Sequence, residues 1–493
     1  MFIALALPPG VYRQGTDLQS SGRYRDANLV RWTEGTMRNM SGWRERTDYS
    51  NPMDPAITGA ARAILPWRDN LGVVRAAIGS NEGLFVISTT GAVTDITPTG
   101  FTPGSADAIF GGGYGAGPYG DESYGTPRLN SAITQPASIW TLDTFGERLI
   151  GVMQDDGTIY EWDLSTSPAD DVTNAPTARA VLVTDQRIVF ALGAGANPRL
   201  VQWSNQDDNT DWTPTPLNFA GDFQLQTNGQ ILCGARVRGG ALIWTDTDVH
   251  LARFVGQPFV YGFERVASFG IVSANAKVVI DDRAFWMGPR GFFLFDGAAR
   301  EIPCEVSDFV FSNINEGQIS KTTAMALTQF SEVWWFYPSA DSAECDRYVV
   351  YNYKENHWNT GKINRLCGCD AGEFLFPLMV DKNGSVYDHE TGFLYDGLPV
   401  FAETGPIQLG AGDNVMFAVR YAPDERTSGN VTATFTTVDF QGSPQQVFGP
   451  FQAGTPRAVR FTGRQVRVRY DGVGNGSWRV GVPRLDVMQG GRR

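Results

Sequence analysis

The chain predicts an all-β fold built as a closed ring of small sheets, a β-propeller. An apolar, aromatic-rich strand, a tight Gly/Asp/Asn turn and a second strand recur along it. The unit reads GLFVISTTGAVTDIT at 83–97, TIYEWDLS at 158–165, GALIWTDTDVHLARFVG at 240–256 and RGFFLFDGAAREI at 290–302. It returns as RYVVYNYKENHWNTG at 347–361 and NGSVYDHETGFLYDG at 383–397. The starts lie roughly 35–80 residues apart, which brackets the ~40–50 residues of a four-stranded blade. Composition agrees: 56 Gly, 27 Pro and only 19% charged residues in 493 describe many turns and few amphipathic helices. At 42% hydrophobic and 12% aromatic residues the chain has material for a substantial core and is not disordered.

In order, residues 1–58 read as an N-terminal arm closing onto the propeller. Its first part, including VYRQGTDLQSSGRYRDANLVRWTEGTMRNMSGW, has no clean periodicity; it is an extended segment tied down by Tyr12, Tyr24, Trp32 and Trp43. Residues 59–399 form the propeller, with inserted loops at 111–127 and 201–225. The first, GGGYGAGPYGDESYGTP, is too glycine-rich to build a core, because glycine costs the most backbone entropy to order. Its Tyr114, Tyr119 and Tyr124 are contact candidates, against the plainer reading of a connector. The second, VQWSNQDDNTDWTPTPLNFAGDFQL, is a long structured loop between strands. The segment 307–327 is the best helix candidate, short and opened by a Ser/Asp cap.

Composition shifts after residue 400, where Thr, Val, Gly and Arg alternate. In RQVRVRYDG (464–472), Val466, Val468 and Tyr470 share one face and Gln465, Arg467 and Arg469 the other. Several such strands make 400–493 a β-sandwich-like domain.

Net charge is −13, which disfavours a general nucleic-acid binder. It is uneven: from 401 onward 11 Arg face 7 Asp and Glu, a net +4, leaving −17 on the first 400 residues. Five cysteines without framework spacing argue against a disulfide scaffold. The apolar start, MFIALALPPG, is too short for a signal peptide and lacks a basic region, and no stretch approaches ~18 apolar residues. The expectation is a protein made in a reducing cytoplasm, without a membrane span.

Chemistry is sparse. His250, His357 and His389 each fall in hairpin-like segments and read as packed or surface residues. Cys367-Gly-Cys369 offers two thiolates to a metal, but no second pair lies nearby, so two reduced cysteines are the preferred reading. Asp207, Asp208, Asn209 and Asp211 cluster oxygen ligands without the spacing of a calcium loop, and read as turn residues. No zinc-protease, nucleophile-elbow, phosphate-loop or dinucleotide motif appears. No catalytic, cofactor or metal residue is assigned. Arg457, Arg460, Arg464, Arg467 and Arg469 can meet DNA phosphates or acidic neighbouring subunits, or form a solvated strand face.

Specific wording then matters. DANLVRWTEGTMRNMSGW (26–43) resembles an N-terminal motif of tail proteins from short-tailed bacteriophages. VQWSNQDDNTDW with AGDFQL, DDRAFWMGPRGFFLFDG (281–297), DRYVVYNYKENHWNTG (346–361) and GRQVRVRYDG…WRVGVPRLDVMQGGRR (463–493) resemble further stretches of the same family, the tail nozzle or packaged-DNA stabilisation proteins. Their order along one chain is the stronger signal. The resemblance implies a six-bladed propeller in a homo-hexamer. That ring extends the portal–adaptor channel, retains packaged double-stranded DNA, conducts it during ejection without reading its sequence, and docks tail fibres or tailspikes and a tail needle or tip protein. It implies a location in the virion tail and no catalysis or cofactor.

On this reading Arg464, Arg467 and Arg469 are interface candidates. Changing Arg467 and Arg469 to Glu is expected to block assembly while leaving the monomer folded. Two other classes stay open: a receptor- or glycan-binding tail module, and a propeller enzyme acting on host polysaccharide.

Overall fold

The computed structural model describes residues 1–47, 55–110, 134–165, 167–409, 414–426, 430–439 and 443–491. Four-stranded antiparallel sheets follow one another at 61–95, 140–171, 180–224, 231–267, 277–302 and 323–362, each running from its innermost to its outermost strand. A further sheet takes three strands from 367–389. The innermost strands Ala61–Arg68, Trp140–Phe145, Ala180–Val183, Ile231–Val237, Lys277–Ile280, Thr323–Leu327 and Cys367–Cys369 contact one another in sequence, and the last contacts the first. The ring is closed and is a β-propeller.

It has seven blades, not the six implied by the resemblance. The hairpin units fall in blades one, two, four, five, six and seven. Blade three lacks that aromatic recipe. Its strands Ala180–Val183, Val189–Leu192, Leu200–Trp203 and Gly221–Gln224 are short, and the first two are fully buried with Phe190 as their one aromatic residue. The segment 201–225 is therefore not one loop: it holds the blade's last two strands around the connection 204–220.

The expected helix is confined to Ser307–Asn313, followed by a 3-10 turn at Glu316–Lys321 and then the innermost strand of blade six. Asn315 accepts from the Gly317 N–H at 3.1 Å and restarts the chain as the new turn. The helix itself begins after Val306, with no side-chain cap. Ser307 instead donates to the Cys304 carbonyl at 3.2 Å.

Residues from 401 onward form two facing sheets, as the alternation predicts. One is ordered Phe2–Ala4, Arg484–Gln489, Met416–Ala422, Arg457–Gly463. The other is ordered Tyr24–Asn28, Phe401–Thr404, Gln465–Gly472, Val431–Val438, Gln446–Gln452, with Ile407–Gln408 beside Gln465–Gly472. Phe435 of one sheet packs on Phe461 and Tyr421 of the other, ring centroids 5.2 Å apart in both pairs. Val466, Val468 and Tyr470 are buried between the sheets, and Gln465, Arg467 and Arg469 stand half-buried on the opposite face.

The N-terminal arm is a series of strands, each completing a sheet begun elsewhere. Phe2–Ala4 and Tyr24–Asn28 join the two sandwich sheets, and the hairpin Val30–Thr33/Thr36–Asn39 pairs with Arg479–Val480. Trp43–Glu45 then becomes the outer strand of blade seven, with Tyr387 opposite Glu45, Asp388 opposite Arg44 and His389 opposite Trp43. Tyr24, Trp32 and Trp43 are buried anchors, as expected; Tyr12 is half-buried. Closure by a strand from the other end of the chain covers the edge that blade seven would otherwise leave open.

Candidate interaction surfaces and the sealed axis

A propeller places any small-molecule chemistry at its axis, where the innermost strands converge. Here one mouth is filled by the chain itself. Asn275, in the segment before blade five, donates to the carbonyls of Arg62 at 2.7 Å and Trp140 at 3.0 Å. Its own carbonyl accepts the Ala324 N–H at 2.7 Å. One residue thus ties blades one, two and six together across the opening.

Beside it, fully buried Arg62 donates to both Glu344 oxygens, at 2.7 and 2.8 Å, and to the Ala106 carbonyl at 3.0 Å. Lys321, with no exposed surface, meets Asp107, the Glu344 carboxylate at 3.0 Å and the Ala343 carbonyl at 2.7 Å. The Ala108 N–H donates to Gln318 at 2.9 Å, so the connection leaving blade one is fastened to blade six. Burial works against the Glu344 carboxylate, but its bonds to Arg62 and the charges of Arg62 and Lys321 hold it below the usual carboxylate range. Those same bonds hold Arg62 above its ordinary value despite desolvation.

Deeper in the ring, burial raises Asp143. Its carboxylate meets Arg236 at 3.1 Å and accepts the Val183 N–H of blade three at 2.8 Å. Every one of these charges has a partner, which is the arrangement of a structural seal. A hydrolytic centre keeps a proton-exchanging carboxyl free beside open space.

The other candidates lie apart. His250 is buried 3.2 Å from Asp248, and His389 accepts from the Arg365 Nε at 3.0 Å while stacking on Trp43. His357 lies buried near Trp32, and burial lowers all three imidazoles. Cys367 and Cys369 sit in the apolar core between blades one and seven, and burial raises both thiols. Asp207 pairs with Arg187 at 2.8 Å, Asp208 caps Thr210, Asn209 bonds Glu161 and Asp211 accepts from Asn218 at 2.9 Å, so this cluster closes a turn. Among the described residues no three His, Cys, Asp or Glu side chains are grouped to hold a metal, and no helix is long and apolar enough to cross a membrane.

Of the interface candidates, Arg467 bonds Asp17 at 2.6 Å. Arg469 bonds Asp471 at 2.9 Å and Glu403 at 3.4 Å and lies 3.7 Å over the Phe401 ring. Arg464 is buried, its carbonyl accepting the Leu409 N–H at 2.9 Å. The predicted basic face is thus ion-paired within the chain. Glu at 467 and 469 would set like charges against Asp17, Glu403 and Asp471, so that double change acts on the fold as well as on any contact. Tyr114, Tyr119 and Tyr124 lie outside the described residues.

Two surfaces escaped the sequence reading. One is an aromatic groove at the rim of blades three and four, where Phe223, Phe254 and Phe259 are exposed beside Trp203, Tyr261 and Phe263. The other is an arginine-lined cleft between the arm hairpin and the terminal sandwich. Neither has a motif, because each is assembled from segments distant in sequence.

No protein-family model matches the chain, and no curated protein matches it. Among solved structures it is similar to virginiamycin B lyase from Staphylococcus aureus, at 10% identity over 70% of this chain and 98% of that one, TM-score 0.40. It is similar to the N-terminal domain of Nup159 at 11% identity over 74% and 98%, TM-score 0.36. A glycoside hydrolase is similar at 11% identity over 87% and 99%, TM-score 0.27. At such scores the likeness carries no argument about activity, and the fold rests on the chain's own sheet order.

Proposed function

We propose that this chain is a tail nozzle subunit of a short-tailed bacteriophage. Six copies ring below the portal and adaptor, retain packaged DNA, conduct it during ejection, and offer docking sites to fibres or spikes. The observation that supports the reading is that the segments carrying the family resemblance meet in space. In the arm motif, the Leu29 N–H donates to the Tyr348 hydroxyl at 2.9 Å, the Val30 carbonyl accepts from Asn359 at 2.5 Å, and Asn28 accepts the Lys362 N–H at 2.7 Å. Tyr348 and Asn359 belong to the motif at 346–361. Asn39, also in the arm, accepts the Trp478 N–H of the C-terminal motif at 3.0 Å. These residues set how the propeller and the sandwich are joined, the geometry on which the angle of a ring subunit depends.

The rest of the molecule is consistent with a wall and not a catalyst. Blades are rigid wedges. With the propeller axis sealed by Asn275 and its neighbours, DNA passes through the ring of subunits and not through a single propeller. A conduit must not grip its cargo, and each phosphate neutralised by Lys or Arg adds affinity. The net charge of −13 suits that requirement.

Mass measurement and negative-stain imaging of the chain, alone and mixed with a portal–adaptor complex, test the proposal. Six-membered rings on the adaptor are the expected result. A monomer that never rings on the adaptor sinks it. The aromatic groove on blades three and four favours one other reading, a glycan-binding tail module, since exposed rings stack on sugars. Retention on host polysaccharide, lost in Phe259→Ser, would support that alternative.

A further inference from the structure

The seam between blades three and four ends in two unlike places. The aromatic groove lies where Trp203 faces Gly221 and Gly256 faces Val260. At the opposite end Leu200 faces Gln224 and Val249 faces Ala267. There a cleft of about 430 Å³ opens, and every residue that lines it is polar.

Asp248 is the fixed point of this cleft. It closes the turn Thr245-Asp246-Thr247-Asp248, its N–H donating to Thr245 Oγ1 at 2.8 Å. Its side chain is only 7% exposed. Three groups converge on one carboxylate oxygen, Oδ1: Thr245 Oγ1 at 2.6 Å, Thr227 Oγ1 at 2.9 Å and His250 Nε2 at 3.2 Å. Oδ2 has no partner among the described residues. A carboxylate can accept about four bonds, so Oδ1 is held in place while Oδ2 keeps its lone pairs for whatever enters the cleft.

Two arginines share the lining. Half-buried Arg199 is tethered by its Nη1 to the Thr227 carbonyl at 3.1 Å, and exposed Arg265 stands opposite His250 on the next strand. Among the described residues neither meets a carboxylate at ion-pair distance. The amides of Gln226 and Asn228 and the Thr247 hydroxyl add groups that donate and accept.

We infer that this cleft binds a sugar acid, its carboxylate on Arg199 and Arg265 and its hydroxyls donating to Asp248 Oδ2. The lining selects against simpler ligands. A lone anion sets its charge against Oδ2, and a cation faces two arginines. An amino acid answers both signs but leaves the amides and the hydroxyl unmatched. A neutral sugar leaves the guanidinium forks without the carboxylate they fit two bonds at a time. Such a site can sit on a ring subunit or on a free-standing tail module, so its test does not depend on ring formation.

Ligand-observed NMR titration of the full chain provides that test. The probes are two sugar acids of different shape, glucuronate and N-acetylneuraminate, with glucose, acetate and glycine for comparison. At least one sugar acid is expected to bind saturably and about tenfold more tightly than glucose. Arg265→Gln changes an exposed side chain and should leave thermal unfolding as it is. It should bring the sugar acid down to the glucose level and leave glucose unaffected. Asp248→Asn keeps an oxygen for Thr227, Thr245 and His250 and sets an amide where Oδ2 stood, so it should weaken acid and neutral sugar alike. If that variant folds poorly, Arg265→Gln alone decides. No saturable binding of either sugar acid overturns the assignment. Acetate or glycine binding as tightly as the sugar acid overturns it in favour of a simple anion or amino-acid site. Unchanged sugar-acid affinity in Arg265→Gln overturns it as well.

Discussion

Arg31 and Glu332 form a two-point ion pair, Nε to Oε1 at 3.1 Å and Nη2 to Oε2 at 3.0 Å, with both side chains excluded from water. Glu390 adds a third bond to Arg31 at 2.7 Å, Trp334 donates to Glu332 at 3.0 Å, and the guanidinium lies 3.6 Å over the Phe330 ring. The pair ties the arm to blade six, and Glu390 extends the tie to the chain just beyond blade seven. Breaking one partner of a buried pair strands the other, so Glu332→Ala is expected to cost about 3–5 kcal/mol. Arg31→Met combined with Glu332→Leu and Glu390→Gln, which leaves no carboxylate stranded, should recover most of that loss. Urea unfolding checks both; a cost under about 1 kcal/mol for Glu332→Ala would show that the junction is held by packing alone.

Stability should fall as pH drops from 7 towards 5, and His389 should carry part of the fall. Burial, and then the charge of Arg365, push this imidazole well below 6.5, and its Nε2 accepts the Arg365 proton, so the folded state holds it neutral. The unfolded chain binds a proton near pH 6.5 that the folded chain refuses, so its contribution is complete above that pH. Below it, the contribution is lost at up to about 1.4 kcal/mol per pH unit. Gln at 389 keeps an acceptor for Arg365 without titrating. The pH profile of His389→Gln should therefore be flatter than that of the wild type; parallel profiles would remove His389 from the account.

Asn275→Ala should loosen the propeller at its sealed mouth. It strips the donors from the Arg62 and Trp140 carbonyls, with a cost of about 2–3 kcal/mol from buried acceptors left unpaired. Hydrogen exchange should accelerate first in the innermost strands of blades one and two. Uniform acceleration across the ring would argue against a local seal.

All five cysteines should resist a thiol reagent at pH 8 in the native protein and react together after denaturation. None is in a disulfide, and four are buried. Burial pushes Cys345 and Cys369 up to about 12 and raises Cys233, Cys304 and Cys367 as well, so little thiolate is present. Half-buried Cys304 is the most accessible of the five and should be the first to react if any does. Rapid labelling of Cys367 or Cys369 would mean that blade seven opens readily.

Much of the architecture was legible because its information is local. The alternation Val466, Val468, Tyr470 against Gln465, Arg467, Arg469 states which face is buried, and the structure obeys it. The hairpin recipe marks six of the seven blades. Blade three escaped because Ala180–Val183 and Val189–Leu192 are four-residue runs buried throughout, with no alternation and a single aromatic residue, Phe190, to mark them.

By itself, then, the sequence determined which segments pair with their immediate neighbours, since a strand, a tight turn and a return strand are specified within about fifteen residues. Only the tertiary structure decided how the ring ends and where the charges go. Trp43–Glu45 is three residues long, too short for any period, and becomes a blade strand only because His389 and its neighbours present an open edge. Arg467 reads as a free cation until Asp17, 450 positions earlier, is brought to 2.6 Å. Arg38 and Arg479 come from opposite ends of the chain and are set face to face by two paired strands. Ladder edges and ion pairs depend on distance in space, and a linear pattern carries no record of it.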